Sequence, residues 1–456
     1  MKVHFIAIGG SAMHNLAIAL HDKGIEVKGS DDEIRDPSRS RLDAKGLLPE
    51  YDGWDANQIT GDLDAVILGM HARKDNPELL KAQELGLPIY SYPEYLYEAT
   101  KEKTRVVIGG SHGKTTITSM ILHCLKSAGI EHDFMVGAQL EGFDCMVKLT
   151  DSASIAVLEG DEYLSSPIDL RSKFHLYHPN IALLSGIAWD HINVFPTFDE
   201  YVEQFKIFVD LIEKDGTLIY YEGDKEVRKI AESARKDIKC IPYKAHSYRI
   251  SDGVSYLKIG DAEMEILVFG QHNMENLNGA MAICLALGMT SEQFYAGIST
   301  FSGASKRMEK IAEAKGFNLY RDFAHSPSKL RATLKALREQ EPDKNLVACM
   351  ELHTFSSLNK EFLKEYHGTM DAASVAVVFY SPQTLSHKRL PDISIDEVKN
   401  AFGRDDLEVI IETADLEKFL SSQSWNNSNL LLMTSGNFRG LDLAGKIPGL
   451  NKNKLN

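Results

Sequence analysis

The chain has 456 residues, 43% of them hydrophobic and 25% charged, with a formal net charge of −15. That is the composition of an ordinary soluble protein of several domains, and its acidity argues against a nucleic-acid surface. No apolar run approaches membrane-spanning length, and Met1–Ile8 reads as a strand rather than a secretion signal, so a cytoplasmic protein without a membrane partner is expected. The five cysteines, Cys124, Cys145, Cys240, Cys284 and Cys349, are scattered without a Cys-x-x-Cys pair and read as small buried hydrophobes.

Residues 1–102 read as a first α/β unit. Val3–Ile8 forms a strand, Gly9-Gly10-Ser11 a turn and Ala12–Lys23 a helix closed by Gly24; a second strand leads to Gly29-Ser30-Asp31. An acid about twenty residues past a glycine turn is where a Rossmann-type unit grips a ribose hydroxyl. Ala7 and Ala12 occupy two of the places where the three-glycine fingerprint has glycine, so a nucleotide site and a structural βαβ turn both remain open. A third strand, Ala65–Leu68, ends at Gly69-Met70-His71-Ala72. Tyr92 to Lys103, with Pro93 and mixed charge, reads as a linker region.

Residues 103–302 read as the central segment. The buried-strand run Val106-Val107-Ile108 enters Gly109-Gly110-Ser111-His112-Gly113-Lys114-Thr115-Thr116, and a helical pattern with Ile117, Met120, Ile121, Cys124 and Leu125 on one face follows. Strand, glycine turn, Gly-Lys-Thr and helix is the phosphate-cradling arrangement. Backbone N–H groups close around phosphate oxygens, the lysine reaches the terminal phosphates and the threonine hydroxyl holds a magnesium ion. Ile108 stands where the full pattern has its first glycine. Ile155–Leu158 is a buried strand ending in Glu159-Gly160-Asp161-Glu162. A carboxylate there places a hard oxygen beside the phosphate loop, although an acidic strand-end turn fits the same residues. A further strand, Ile181–Leu184, leads to Trp189-Asp190-His191, and a helix spans Phe198–Glu213. Residues 216–267 alternate short strand patterns with charged loops. Asn273 and Asn276 sit three apart on a helix that opens near Gly270; their amides suit an adenine edge or a helix cap.

From 303 to 456, strands at Leu346–Met350, Val375–Phe379, Val409–Ile411 and Leu430–Met433 alternate with helices near Ser328–Glu339, Lys360–Met370, Ile393–Ala401 and Leu416–Ser421. This is a second doubly wound α/β pattern. Phe301–Glu309 and Arg321–Pro327 read as polar loops, and Asn451–Asn456 as a frayed tail.

In order, Gly-Ser-His-Gly-Lys-Thr-Thr at 110–116, Glu-Gly-Asp-Glu at 159–162, Asp190-His191, Gly-x-His-Asn-x-x-Asn at 270–276, Lys306-Arg307-Met308-Glu309 and Asp-Phe-Ala-His-Ser-Pro at 322–327 resemble the Mur ligase family over essentially the whole chain. Ile8–Met13 and Gly29-Ser30-Asp31 look like the UDP-sugar domain of the branch that begins with UDP-N-acetylmuramate. Leu170–Phe174, before Tyr177 and Pro179, and Trp189-Asp190-His191, before Phe195, look most like the murein-peptide branch.

The resemblance implies three α/β domains: a Rossmann-like UDP-sugar domain, a P-loop ATP-binding domain and a Rossmann-like domain for the peptide or amino acid. It implies an ATP- and Mg2+-dependent ligase that attaches L-Ala-γ-D-Glu-meso-diaminopimelate to UDP-N-acetylmuramate in cell-wall recycling. Addition of L-alanine in de novo synthesis is one alternative, and a non-catalytic nucleotide-gated binding protein is another. It implies that Gly110, Ser111, His112, Gly113, Lys114, Thr115 and Thr116 hold the phosphates and that Thr115 and Glu159 hold magnesium. His191 would be a second metal ligand or orient the substrate carboxylate. Asn273 and Asn276 would meet the adenine, and Arg307 and Asp322 the phosphates and ribose. Gly9, Gly10, Ser11, Asp31 and His71 would line the UDP-sugar site. Lys114, His191 and Arg307 are the expected catalytic residues, in a monomer or weak homodimer. The chain departs from the family pattern at four places: Ser111 for threonine, Gly186 for asparagine, Ser326 for a second histidine, and Glu351-Leu352-His353 for a Pro-Arg pair.

Overall fold

A computed structural model describes residues 1–137, 143–304 and 307–450. Lys306 of the Lys-Arg-Met-Glu motif and the expected tail 451–456 lie outside the described residues. The chain forms two compact units. One comprises Met1–Ile187, Val202–Lys244 and Asn278–Ile298; the other comprises Ala188–Tyr201, Ala245–Leu277 and Ser299–Asn456.

The first unit holds two sheets. Strands β1 (Lys2–Ile6), β2 (Glu26–Ser30), β3 (Ala65–Leu68) and β4 (Ile89–Ser91) pair in parallel in the order β2-β1-β3-β4. Beyond β1, Ala7 takes a left-handed backbone at φ 68°, and the N–H groups of Ala7 and Ile8 both donate to Ser30 O. The turn therefore keeps the shape a glycine would give it, at a steric cost to the alanine Cβ. Ala7→Gly is expected to raise the thermal midpoint by roughly 1–3 °C, after allowance for glycine's larger unfolded-state entropy. A fall in the midpoint on differential scanning would contradict the strained turn.

The second sheet of this unit comprises β5 (Thr104–Gly109), β6 (Asp133–Met135), β7 (Val147–Lys148), β8 (Ile155–Glu159), β9 (Ile181–Leu184), β10 (Thr217–Tyr221) and β11 (Lys239–Tyr243). Its order is β11-β10-β9-β5-β8-β6-β7, parallel except for the β6–β7 pair. β5 is central, and Val106, Val107 and Ile108 are fully buried, as a strand covered on both faces requires.

Tyr92 to Lys103 is not the linker that its proline and charges suggest. Tyr92–Thr100 is a helix with a complete capping box between Ser91 and Glu94 and with Pro93 in its first turn. Proline is tolerated there because it removes only an N–H that has no intrahelical partner.

The second unit carries a three-stranded antiparallel sheet, β12 (Tyr248–Ser251), β13 (Val254–Ile259) and β14 (Ala262–Ile266). It also carries a six-stranded sheet: β15 (Glu309–Ala314), β16 (Phe317–Asp322), β17 (Asn345–Glu351), β18 (Val375–Phe379), β19 (Glu408–Ile410) and β20 (Ser428–Met433), in the order β15-β16-β20-β17-β18-β19. All pairs but β15–β16 are parallel, and apolar clusters fill both faces. Two expectations are corrected here. Glu309 opens β15 and Arg321-Asp322 closes β16, a hairpin that turns through Gly316 at φ 76°; these three residues of the expected loops are strand ends and Pro327 begins a helix, while Phe323–Ser326 and the described residues before Glu309 are loop as expected. The helix expected over Lys360–Met370 spans only Lys360–Leu363 and continues as a tighter turn to Tyr366, before Gly368 at φ 67°.

Candidate active site

In the first unit the glycine turn follows β5 directly. Gly113, left-handed at φ 80°, caps the helix Lys114–Ser127. Gly110 has φ 133°, and a Cβ there would lie 2.1 Å from Ser185 Oγ. The loop is braced by the end of β9: Ser111 N–H donates to Gly186 O at 2.9 Å, Ser185 N–H to Gly109 O at 3.1 Å, and Ser185 Oγ to His112 O. Gly186 has φ 153°, and a Cβ on it would stand 2.7 Å from the His112 ring. Its glycine is thus explained by the approach of His112, and these bonds brace the loop although Ile108 replaces the first glycine of the pattern.

Lys114 Nζ donates to Gly110 O at 2.6 Å and to Glu162 at 2.7 Å. Glu162 is 1% exposed. Burial pushes the Lys114 ammonium down, but the charges of Glu162, Asp161 and Glu159 outweigh it and leave the group above its ordinary value. Thr115 Oγ1 donates to Glu159 Oε1 at 2.8 Å, and Gly137 N–H donates to Glu159 Oε2 at 2.9 Å. A hydroxyl and a carboxylate so placed are hard oxygen donors, and they fit a magnesium ion that takes its other ligands from phosphates and water. Among the described residues no three His, Cys, Asp or Glu side chains gather into a closed metal site; an ion held chiefly by phosphates does not need one. Sequence reasoning missed Glu162 as the partner of Lys114, and Ser185 and Gly186 as the brace, because each is a contact between distant segments.

At the carboxyl end of β1, Gly9 N–H donates to Asp31 Oδ2 at 2.7 Å, and Gly10 precedes the helix Ser11–Asp22. Asp31 is buried, and its carboxyl is pushed up to about 6, first by desolvation and then by Asp32, against the backbone N–H groups of Gly9 and Asp32. His14, not flagged by the sequence, is buried beside this turn; its Nδ1 meets Gly10 O at 2.9 Å and Ser38 Oγ at 3.0 Å. His71 is exposed beyond the end of β3.

The Arg171–Phe174 stretch is built into the fold. Arg171 pairs with Asp169 and Glu94, Lys173 with Asp161 at 2.6 Å, and Phe174 stacks on Phe208 at 4.6 Å. Phe174 also lies against Gly109, where an added Cβ would approach it to 3.4 Å, so this stretch supports the strand that feeds the phosphate loop.

In the second unit Asp190 is a hub. Its Oδ1 accepts the N–H of His191 at 2.8 Å and the hydroxyl of Ser356 at 3.3 Å, while Oδ2 faces His325 Nε2 at 3.6 Å and Lys329 Nζ at 3.9 Å. Burial opposes its charge, but His325, Lys329 and His191 overcome that and hold the carboxyl well below its usual range. His325 is pushed down by burial and by Lys329. His191 has φ 54°, and Trp189 lies edge-on to Phe362 at 6.0 Å.

Asn273 and Asn276 lie on the helix Gln271–Ala286, each nearly buried. Asn273 Nδ2 donates to Phe269 O at 2.9 Å, which is the local bonding asparagine favours near a helix start. Asp322 accepts Met308 N–H at 2.6 Å and Ala324 N–H at 2.7 Å. It therefore shapes both the turn that carries Arg307 and the start of the Ala-His-Ser-Pro segment. The Arg307 guanidinium lies over the Phe323 ring at 4.6 Å.

The chain matches known proteins along most of its length. Models of the Mur ligase family match residues 2–104 (Mur ligase family, catalytic domain), 108–284 (Mur ligase middle domain) and 306–436 (Mur ligase, glutamate ligase domain). The chain is 32% identical over 415 residues to a UDP-N-acetylmuramate–L-alanine ligase of Caldicellulosiruptor bescii, covering 88% of this chain and 86% of the relative. Its structure is similar to that of a murein peptide ligase from Psychrobacter arcticus, with a TM-score of 0.67, 22% identity and 97% of each chain covered. It is likewise similar to a UDP-N-acetylmuramate-alanine ligase from Thermotoga maritima, with a TM-score of 0.71, 20% identity and 96% of each chain covered.

Proposed function

The chain belongs to the Mur ligase family, and from that premise we propose that it joins the lactyl carboxylate of UDP-N-acetylmuramate to the free amine of L-Ala-γ-D-Glu-meso-diaminopimelate. Members of the family are ATP-dependent ligases that form amide bonds, and this chain is one of them. No helix among the described residues is long and apolar enough to cross a membrane.

A carboxylate does not accept an amine near neutral pH without activation. In the proposed reaction the lactyl carboxylate attacks the γ-phosphate of ATP and ADP leaves. The peptide amine then attacks the acyl carbon, phosphate departs, and the amine loses a proton. Phosphoryl transfer of this kind depends on positioning and charge neutralisation. The Lys114 ammonium is assigned to the β- and γ-phosphates, with the backbone of Gly110–Gly113 around them. Thr115 and Glu159 would hold magnesium, which supplies charge neutralisation at the phosphates. Arg307, Asp322, Asn273 and Asn276 are assigned to the nucleotide, and His191 to a second metal or to the lactyl carboxylate. Gly9, Gly10, Ser11, Asp31 and His71 are assigned to UDP-N-acetylmuramate. Residues 1–102, 103–302 and 303–456 are assigned to the UDP-sugar, ATP and peptide domains.

The observation that carries the ATP chemistry is the pairing of Thr115 with Glu159 beside a Lys114 held at the mouth of the loop. The choice of the tripeptide is carried by the resemblance of the Arg171–Phe174 stretch to the murein-peptide branch. The 32% identity to an L-alanine ligase favours L-alanine as a second reading. Phosphate release with ATP, Mg2+ and UDP-N-acetylmuramate tests the choice. Turnover with the tripeptide and none with L-alanine is expected; turnover with L-alanine alone contradicts the proposal.

A further inference from the structure

Three neighbouring parallel strands, β20, β17 and β18, end side by side, with Met350 opposite Met433 and Glu351 opposite Phe379. The carboxyl edge of such a sheet is where open α/β domains receive ligands. Here the edge carries an unusual support. Glu351, at the tip of β17, is 2% exposed, and its Oε2 accepts Phe438 N–H at 2.9 Å and the Thr434 hydroxyl. Those bonds hold the loop after β20, where Phe438, Arg439 and Gly440 are all left-handed, at φ 49°, 53° and 79°. A carboxylate taken from water and two non-glycine residues in a disfavoured conformation serve to present Arg439.

Arg439 faces no carboxylate among the described residues: its Nη1 donates to Ser381 Oγ at 3.1 Å and Gln383 Oε1 at 3.2 Å. Ser381 and Gln383 lie just past the end of β18. Seven residues after Ser381, Lys388 Nζ lies over the Phe355 ring at 4.1 Å, also without an anion among the described residues. Burial alone pushes the Lys388 ammonium down, so an arriving anion would offset a desolvation cost the lysine already bears. Phe355, just past the end of β17, is 41% exposed. On the same edge the buried Oγ of Ser435 has no hydrogen-bond partner among the described residues, and His353 Nδ1 makes no hydrogen bond but faces Glu351 Oε1 at 3.6 Å.

We propose that this edge binds the amine substrate through its carboxylates, with Arg439 and Lys388 reading the negative charge, Phe355 forming an apolar wall, and Glu351 acting as a positioning residue for the Arg439 loop. The assignment rests on the reading that the amine is an acidic peptide. L-Ala-γ-D-Glu-meso-diaminopimelate carries three carboxylates and L-alanine one, so two separated cations favour the peptide. Guanidinium–carboxylate pairs are the stronger kind of hydrogen bond and fix orientation as well as charge.

The test is steady-state phosphate release by the full chain and by Arg439→Met, Arg439→Lys and Lys388→Met, with the tripeptide and with a tripeptide whose carboxylates are amidated. Each methionine variant is expected to raise the tripeptide KM by roughly tenfold or more, with the KM for ATP and the thermal midpoint unchanged. Arg439→Lys is expected to recover part of the loss, and the amidated peptide to bind wild type and methionine variants equally poorly. Unchanged tripeptide KM in both methionine variants overturns the site. Absence of wild-type turnover with the tripeptide overturns the functional reading instead. Should the wild type turn over L-alanine, the same ratio read with L-alanine decides the site, and an unchanged alanine KM overturns it too.

Discussion

Lys114→Met is expected to lower turnover by about 10³-fold, the loss typical when a preorganised charge on a transferring phosphoryl group is removed. The structure adds a second effect. Lys114 forms an ion pair with the buried Glu162, and removing one side of a buried pair weakens the compensation of the remaining charge, at a cost of up to about 3 kcal/mol. The single variant should therefore unfold at a lower temperature as well as lose activity. Lys114→Met with Glu162→Gln should regain the lost stability without regaining turnover. Scanning calorimetry beside phosphate release separates the two effects. A double variant that recovers activity would show that Lys114 serves Glu162 rather than phosphate.

Asp190→Ala is expected to cost stability and rate together. Its carboxylate is held well below the usual range and receives His191, Ser356, His325 and Lys329. Removing it leaves Lys329 without that charge and frees the His191 turn. A loss on the order of 3 kcal/mol and a fall in kcat of about 10- to 100-fold from misplacement of His191 are expected. The pH dependence has a defined sign. A carboxyl whose folded pKa lies below its unfolded value contributes stability in full above about pH 4 and loses it as the pH falls through the folded value. Thermal midpoints of wild type and variant should thus differ by a constant gap above about pH 4 and converge as the pH falls below it, through the lowered folded value. A gap that widens in acid would contradict the ion-paired state.

The phosphate loop was legible because its chemistry requires residue types that little else demands together: glycines, then Lys114 and Thr115, after a buried strand. Ala7 shows the limit of that signal, because its backbone holds the glycine conformation without the glycine. Tyr92–Thr100 was misread because Pro93 signals a break in a helix interior but not in a first turn. β15 and β16 escaped because their ends are polar and their buried residues do not alternate, β15 carrying a bulge between Lys310 and Ala312 and β16 being buried on both faces. Glu162, the Ser185–Gly186 brace and the Glu351 support for Arg439 could not be read at all, since each joins segments far apart in sequence. The Arg171–Phe174 stretch carried the resemblance to the murein-peptide branch, yet its contacts in the first unit are with Asp169, Glu94, Asp161 and Phe208. What distinguishes one amine from another is better sought on the carboxyl edge of the six-stranded sheet, at Arg439 and Lys388.

The most direct measurement is the product mass from one reaction containing ATP, Mg2+, UDP-N-acetylmuramate and equal concentrations of L-alanine and L-Ala-γ-D-Glu-meso-diaminopimelate. The account predicts a single new nucleotide-linked species with the mass of the tripeptide adduct, formed with one ADP and one phosphate each. A product with the mass of the alanine adduct and no tripeptide adduct would contradict it.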